Sequence, residues 1–226
     1  MRIGILQTGR APDALIETSG DYDQMFRTLL NGYGFRFDTY AVLDGVLPAS
    51  ADAADGWLIT GSRFGVYEDH DWIPPLEDLI RKIHAKAIPM VGICFGHQII
   101  AQALGGTVEK FVGGWAVGRV EYEQDGRMLA MNAWHQDQVT KLPEGARVLA
   151  GNDFCPNGIL AYGDAIWTVQ PHPEFKSDFV GELIEKRGRG LVPDPILATA
   201  RESLDQPTDA AEIATFMASF LMKERA

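Results

Sequence analysis

Two short stretches carry residue types that could do covalent chemistry. In VGICFGHQII, residues 91–100, Cys94 stands between Gly92 and Gly96, directly after an apolar run and directly before a helix-like segment. A strand feeding a tight turn and then a helix exposes the turn residue at the carboxyl end of a sheet, over the helix N-terminus. Glycines suit such a turn because close backbone approach leaves little room for Cβ atoms. The helix dipole and the free N–H groups of the first turn favour an anion there, and so favour thiolate over thiol. The turn alone leaves a second reading open, in which Cys94 is a small apolar residue packed at a strand end.

VQPHPEF, residues 169–175, supplies what the cysteine would need. Pro173 biases His172 toward extended backbone, and along an extended chain residues i and i+2 share a side. His172 and Glu174 are therefore expected within hydrogen-bonding reach. Alone, the tripeptide H-P-E is as compatible with an ordinary loop. Joined to Cys94, it completes the nucleophile, base and orienter of covalent catalysis.

The elements that must position these residues read as an α/β pattern. RIGILQT (2–8), FRFDTYAV (35–42), GWLIT (56–60) and IPMVGI (88–93) are apolar runs of buried parallel strands. Ser19 is the expected N-cap of a helix whose apolar positions Tyr22, Met25, Phe26, Leu29 and Leu30 recur at helical spacing, with Gly32 or Gly34 as its stop. IPPLEDLIRKIHAKA (73–87) has prolines suited to a first helical turn. Beyond residue 106, alternating runs and turn residues predict antiparallel strands and hairpins, so the sheet is expected to be mixed. The segments 174–188 and 209–224 read as helices, separated by a proline-marked loop with a short helix. No repeat or linker divides the chain, and a single domain over 1–226 is expected.

Composition narrows the function classes. Of 226 residues, 46% are hydrophobic and 23% charged, as in folded soluble domains. A net charge of -11 with no long Lys/Arg cluster disfavours a nucleic-acid partner. The N-terminal apolar stretch is too short for a signal peptide, and nowhere do about 18 apolar residues run together. A cytoplasmic protein with no membrane partner is expected. Two cysteines do not make a disulfide framework.

GICFGHQ with a late HPE resembles the class I glutamine amidotransferases, in their stand-alone, GMP-synthase-like branch close to the γ-glutamyl peptidases. The likeness extends through GHQIIAQALGG, where Gly105 and Gly106 match the family's helix end, and through TGSRFGVYEDHDWI and HQDQVTKLPEGA. TGS at 60–62 departs from the family's more usual G-G-P but keeps Gly61. The resemblance implies a flavodoxin-like three-layer α/β/α sandwich with a mixed, mostly parallel sheet. It implies Cys94 as the nucleophile that forms a γ-glutamyl thioester, His172 as the general base that later protonates the leaving amine, and Glu174 as its orienter. It also implies an oxyanion hole from the N–H groups of Gly61 and Phe95, and no cofactor or metal. Gln98 and the WHQDQV segment are the candidate substrate-binding groups, with Asp137 pairing with the α-ammonium and His135 standing behind it. The substrate is then a small γ-glutamyl molecule: glutamine, or a γ-glutamyl peptide or conjugate such as a glutathione adduct. The expected domain uses up the chain, so either a separate synthase chain receives the ammonia or the γ-glutamyl bond is simply hydrolysed, or its γ-glutamyl group transferred, through the Cys94 thioester. A non-catalytic binding or thiol-sensing protein is the remaining alternative, disfavoured by the complete Cys94, His172 and Glu174 set.

The other conspicuous side chains read as structural. His97 lies in the first turn of the helix after Cys94, and Cys155 precedes a proline with no base nearby. His70 and His84 lack metal-ligand spacing. The five tryptophans read as packing residues, with Trp115 and Trp134 the two suited to a pocket mouth.

Overall fold

The computed structural model describes residues 1–223; Glu224, the last position of the final helical segment, lies outside them. The first half of the chain runs β1 (Arg2–Gln7), α1 (Asp13–Ser19), α2 (Tyr22–Leu29), β2 (Arg36–Ala41), β3 (Gly56–Ile59), α3 (Ile73–Ala85), β4 (Met90–Ile93) and α4 (Phe95–Ala103). Next come β5 (Thr107–Lys110), β6 (Ala116–Gln124), β7 (Arg127–His135), β8 (Asp137–Lys141) and β9 (Ala146–Ala150). β10 (Ile159–Tyr162), β11 (Ile166–Val169), α5 (Ser177–Leu183), α6 (Asp194–Glu202) and α7 (Ala210–Met222) complete it. Short 3-10 turns, and no α-helix, link β2 to β3.

Seven strands form the central sheet in the order β2-β1-β3-β4-β11-β10-β9. The first five are parallel to one another, β10 runs antiparallel to β11 and β9 antiparallel to β10, so the sheet is mixed and mostly parallel. Strand alternation divides the apolar side chains between two faces. Leu6, Trp57, Ile59 and Met90 pack with Leu76, Ile80, Ile99 and Ile100 of α3 and α4. Ile3, Ile5, Leu58, Val91 and Ile93 pack on the other face with Phe26 and Leu30 at α2 and Ile213 and Met217 of α7. This is a flavodoxin-like α/β/α sandwich. Full burial of each such side chain contributes about 1.5–3 kcal/mol, which is why both faces of these strands must be covered. β5 with β8, and β6 with β7, form two separate antiparallel pairs.

Ser19 is not a helix cap. It ends α1, and the cap of α2 is Asp21, whose carboxylate accepts from the Tyr22 N–H at 2.8 Å while Gln24 Oε1 accepts from the Asp21 N–H at 3.1 Å. Asp21 also accepts from Gln7 Nε2 and the Ala11 N–H. A carboxylate satisfying donors from three segments outcompetes a hydroxyl two residues upstream, with the bend at Gly20 between them. Among the described residues no helix is long and apolar enough to cross a membrane.

Candidate active site

Three neighbouring strands, β3, β4 and β11, deliver Gly61, Cys94 and His172 to the same edge, because each residue follows the carboxyl end of its strand. Cys94 sits between β4 and α4 at φ 51°, ψ −101°. A non-glycine residue there costs about 1–3 kcal/mol, so the surroundings must hold it. They do so through Cys94 N–H to the Val169 carbonyl at 2.9 Å, Gly96 N–H to the Thr60 carbonyl at 3.2 Å, and Gln98 N–H to the Cys94 carbonyl at 3.0 Å. The flanking glycines are required by space. A Cβ on Gly92 would lie 2.6 Å from the Gly96 carbonyl, and one on Gly96 would lie 2.4 Å from the Ile59 oxygen.

His172 and Glu174 meet as expected but by a different route. The His172 N–H donates to the Asn132 carbonyl at 2.7 Å, which fixes His172 as extended, and the chain then turns so that the Phe175 N–H donates to the His172 carbonyl at 3.3 Å. The pair forms across this turn rather than along one side of an extended segment. Asn132 secures it a second time, donating from Nδ2 to the Phe175 carbonyl at 2.9 Å. His172 Nδ1 lies 2.7 Å from Glu174 Oε1, with both side chains buried. The imidazole stacks on Phe175, with ring centres 3.9 Å apart and planes 3° from parallel.

Burial by itself would lower the His172 pKa. The Glu174 carboxylate and Cys94, each near and hydrogen-bonded to the ring, outweigh it and raise the value to about 10. Glu174 Oε2 has no hydrogen-bond partner among the described residues, so the imidazolium is what compensates this buried carboxylate. Gly61 borders both side chains. A Cβ on it would sit 2.8 Å from His172 Cε1 and 3.7 Å from Cys94 Cβ. Among the described residues, neither the Gly61 nor the Phe95 N–H donates a hydrogen bond.

Cys94 and His172 open onto a cavity of 420 Å³. Asp137, half-buried on its wall, accepts from the Tyr67 hydroxyl at 3.0 Å; burial raises its pKa, and Tyr67 and Lys110 oppose the rise. Gln98 reaches the cavity, but its Nε2 donates to the Asp137 carbonyl at 2.9 Å and to Gln170 Oε1 at 3.0 Å. His135 Nδ1 lies 3.2 Å from the same carbonyl. Both residues thus hold the Asp137 backbone in place. Burial and the charge on His172 push His135 down to about 3, leaving it neutral. His97 is fully buried against Thr168 Oγ1 at 2.8 Å, and burial lowers it likewise to about 3.

The remaining residues fall where their surroundings put them. Cys155 is buried, its thiol pushed up by burial to about 12. His70 pairs with Glu68 and stacks on Trp72, and His84 is exposed. Trp57, Trp72 and Trp167 are buried, while Trp115 and Trp134 line the cavity edge to face. Among the described residues no group of three or more His, Cys, Asp or Glu could hold a metal ion. Sequence reasoning missed Phe175, although it adjoins the H-P-E, and also Asn132 and Tyr67, which carry no local signal.

A mixed sheet between two helical layers carries a cysteine, a histidine and a carboxylate gathered at the ends of adjacent parallel strands, the arrangement of an α/β protein with a thiol site at the sheet edge. The family model described as Glutamine amidotransferase class-I matches residues 44–187, and the chain belongs to that family. It is 32% identical over 186 residues to gamma-glutamyl peptidase 4 of Arabidopsis thaliana, covering 75% of this chain and 74% of the relative. It is 32% identical over 160 residues to the glutamine-hydrolyzing GMP synthase of Leifsonia xyli, covering 62% of this chain and 31% of the synthase. The fold matches the crystal structure of a glutamine amidotransferase from Methylobacillus flagellatus with a TM-score of 0.75 at 20% identity, over 97% of this chain and 92% of the other.

Proposed function

We propose that the protein hydrolyses the γ-glutamyl amide bond of glutamine or of a γ-glutamyl peptide or conjugate, through a γ-glutamyl thioester on Cys94. The observation that carries this reading is the strained Cys94 turn bordered by a His172 ring tied to Glu174 at 2.7 Å, all facing one cavity. Similarity to a gamma-glutamyl peptidase over three quarters of the chain supports the choice of bond.

In this mechanism the Cys94 sulfur attacks the γ-carbonyl carbon, and the oxygen takes up the negative charge of a tetrahedral adduct. The N–H groups of Gly61 and Phe95 meet that charge, and losing one such donor costs about 3–4 kcal/mol. The adduct collapses as His172 gives its proton to the leaving amine. Water then attacks the thioester with His172 taking its proton; glutamate departs and Cys94 is regenerated. Glu174 keeps the imidazole in place and stabilises its charged form whenever it holds the proton. Asp137 binds the α-ammonium, while Gln98 and His135 keep it positioned.

Intact-mass measurement tests this directly. Wild-type protein mixed with glutamine and with γ-glutamyl peptides is expected to gain a γ-glutamyl adduct that is missing from Cys94→Ala. Absence of adduct and of turnover with every donor would sink the hydrolase reading, and an adduct that survives in Cys94→Ala would move the nucleophile elsewhere. Similarity to part of a GMP synthase favours one second reading, a glutaminase subunit serving a separate synthase chain. Glutamine turnover that stays weak until a partner chain is added would support it.

A further inference from the structure

We propose that Arg63 and Arg187 form an anion subsite on the leaving-amine side of the scissile bond, selecting γ-glutamyl substrates whose released amine carries a carboxylate. This inference rests on the γ-glutamyl reading above and adds the chemical class of the leaving group.

The two arginines stand at a junction. A cleft of 1070 Å³ lies beside the 420 Å³ cavity, and among the described residues only Arg63, Phe64 and Arg187 line both. The inner cavity already holds groups for an amino-acid head: the Asp137 carboxylate for an ammonium, and Lys110 beside it for a carboxylate. With the γ-carbonyl at Cys94, a group bonded to the amide nitrogen that extends toward the outer cleft passes Arg63 and Arg187.

Neither is held in an ion pair among the described residues. In a chain of net charge -11, most surface arginines are matched to a carboxylate, including Arg10 with Asp44 and Arg81 with Asp78. Lys186 pairs with Glu182 and Arg189 with Glu185, yet Arg187 between them makes no ion pair among the described residues. Arg63 lies over the Phe64 ring at 4.8 Å and likewise has no ion-pair partner among the described residues. Glu68, the nearby carboxylate, feels the Arg63 charge but makes its hydrogen bonds to the Gly65 N–H at 2.7 Å and His70 at 2.9 Å. The acidic residues of the outer cleft, Asp13, Asp44 and Asp71, do not line the inner cavity, so the junction itself is cationic.

Local backbone supports the placement of Arg187. The chain leaves α5 through a π-helical turn, Ile184–Gly188. Such turns reset the direction of the side chains that follow and recur at functional sites. Here the turn sets Arg187 at the cavity while Lys186 and Arg189 meet glutamates of their own segment. A guanidinium presents the planar fork that matches a carboxylate, and Phe64 gives the Arg63 fork a flat support.

The test compares γ-glutamylglycine with γ-glutamylglycinamide, which differ only in a carboxylate against a carboxamide. For wild-type protein, the ratio of kcat/KM for the acid over the amide is expected to be about tenfold or more, falling as salt is raised. Arg187→Gln and Arg63→Gln should each lower the ratio several-fold, and the double variant should bring it near one; Arg187→Lys should retain part of it. Because both substrates are measured on the same preparation, a loss of folded protein cancels from the ratio. A wild-type ratio near one, a ratio unchanged in the double variant, or parallel losses on both substrates would overturn the subsite. Turnover of both substrates with a ratio near one removes the subsite and leaves the γ-glutamyl reading standing, whereas no turnover or adduct with either removes both.

Discussion

Cys94 is almost completely buried and yet borders the cavity, so its chemistry depends on the one polar ring beside it. That ring, His172, is held charged by Glu174 and Cys94 against the effect of burial. Replacing Glu174 with Gln removes the nearest anion. The alkaline limb of the kcat/KM profile, set in wild type by a group titrating near 10, is expected to move at least one pH unit lower, with kcat down by 10²-fold or more. Stability should follow the same group. A histidine whose pKa is raised on folding stabilises the native state below its unfolded value of about 6.5, and this contribution is lost as pH rises through about 10. Glu174→Gln should therefore unfold more readily by roughly 3–5 kcal/mol at pH 7, the gap closing above pH 10 in chemical denaturation. The sequence made the three residue types legible, since cysteine between glycines and H-P-E are local patterns. The double anchoring by Asn132 was not legible because it joins β7 to the turn after β11 across the fold, and the stacking of Phe175 on His172 depends on how that turn bends.

At the level of elements, the site is a consequence of strand order. β3, β4 and β11 lie side by side, and the turn after β4 is so close to β3 that Gly96 touches the Ile59 carbonyl. Gly96→Ala puts a methyl group against backbone that cannot swing away. A loss of stability of at least about 3 kcal/mol is expected, together with loss of any thioester, measured by denaturant melts and intact mass. The second helix offers a cleaner contrast. Asp21→Ala removes a cap and two further hydrogen bonds and should cost about 2 kcal/mol or more, while Ser19→Ala should change stability by less than about 0.5 kcal/mol. Periodicity found α2 and α3 because each presents a wide apolar stripe. It missed α1, which buries only Leu15 and has no side-chain cap, so that tertiary packing and not a local signal sustains it.

Across the whole molecule, two buried histidines make the fold acid-sensitive. His97 and His135 are lowered to about 3 in the native state, whereas an unfolded histidine takes up a proton near 6.5. The unfolded chain thus binds more protons between these values, and stability falls as pH drops from 6.5 toward 3, by about 1.4 kcal/mol per pH unit for each group. In His97→Gln the slope of unfolding free energy against pH over 4–6 should be flatter by that amount. An unchanged slope in equilibrium denaturation would show that His97 is protonated in the native protein.

The sequence by itself determined the chemistry available and the grammar of the fold. Apolar runs alternating with helical stripes specify a sheet covered on both faces, and two local motifs supply a thiol, an imidazole and a carboxylate. Tertiary structure decided what those groups can do together. Chain separation carries no record that β11 lies beside β4, that a turn and not an extended segment brings Glu174 to His172, or that Gln98 spends its amide on the Asp137 backbone. The odd cysteine between glycines is a nucleophile candidate in the sequence. It becomes part of a site only because three strand ends, burial and a compensated charge converge on it.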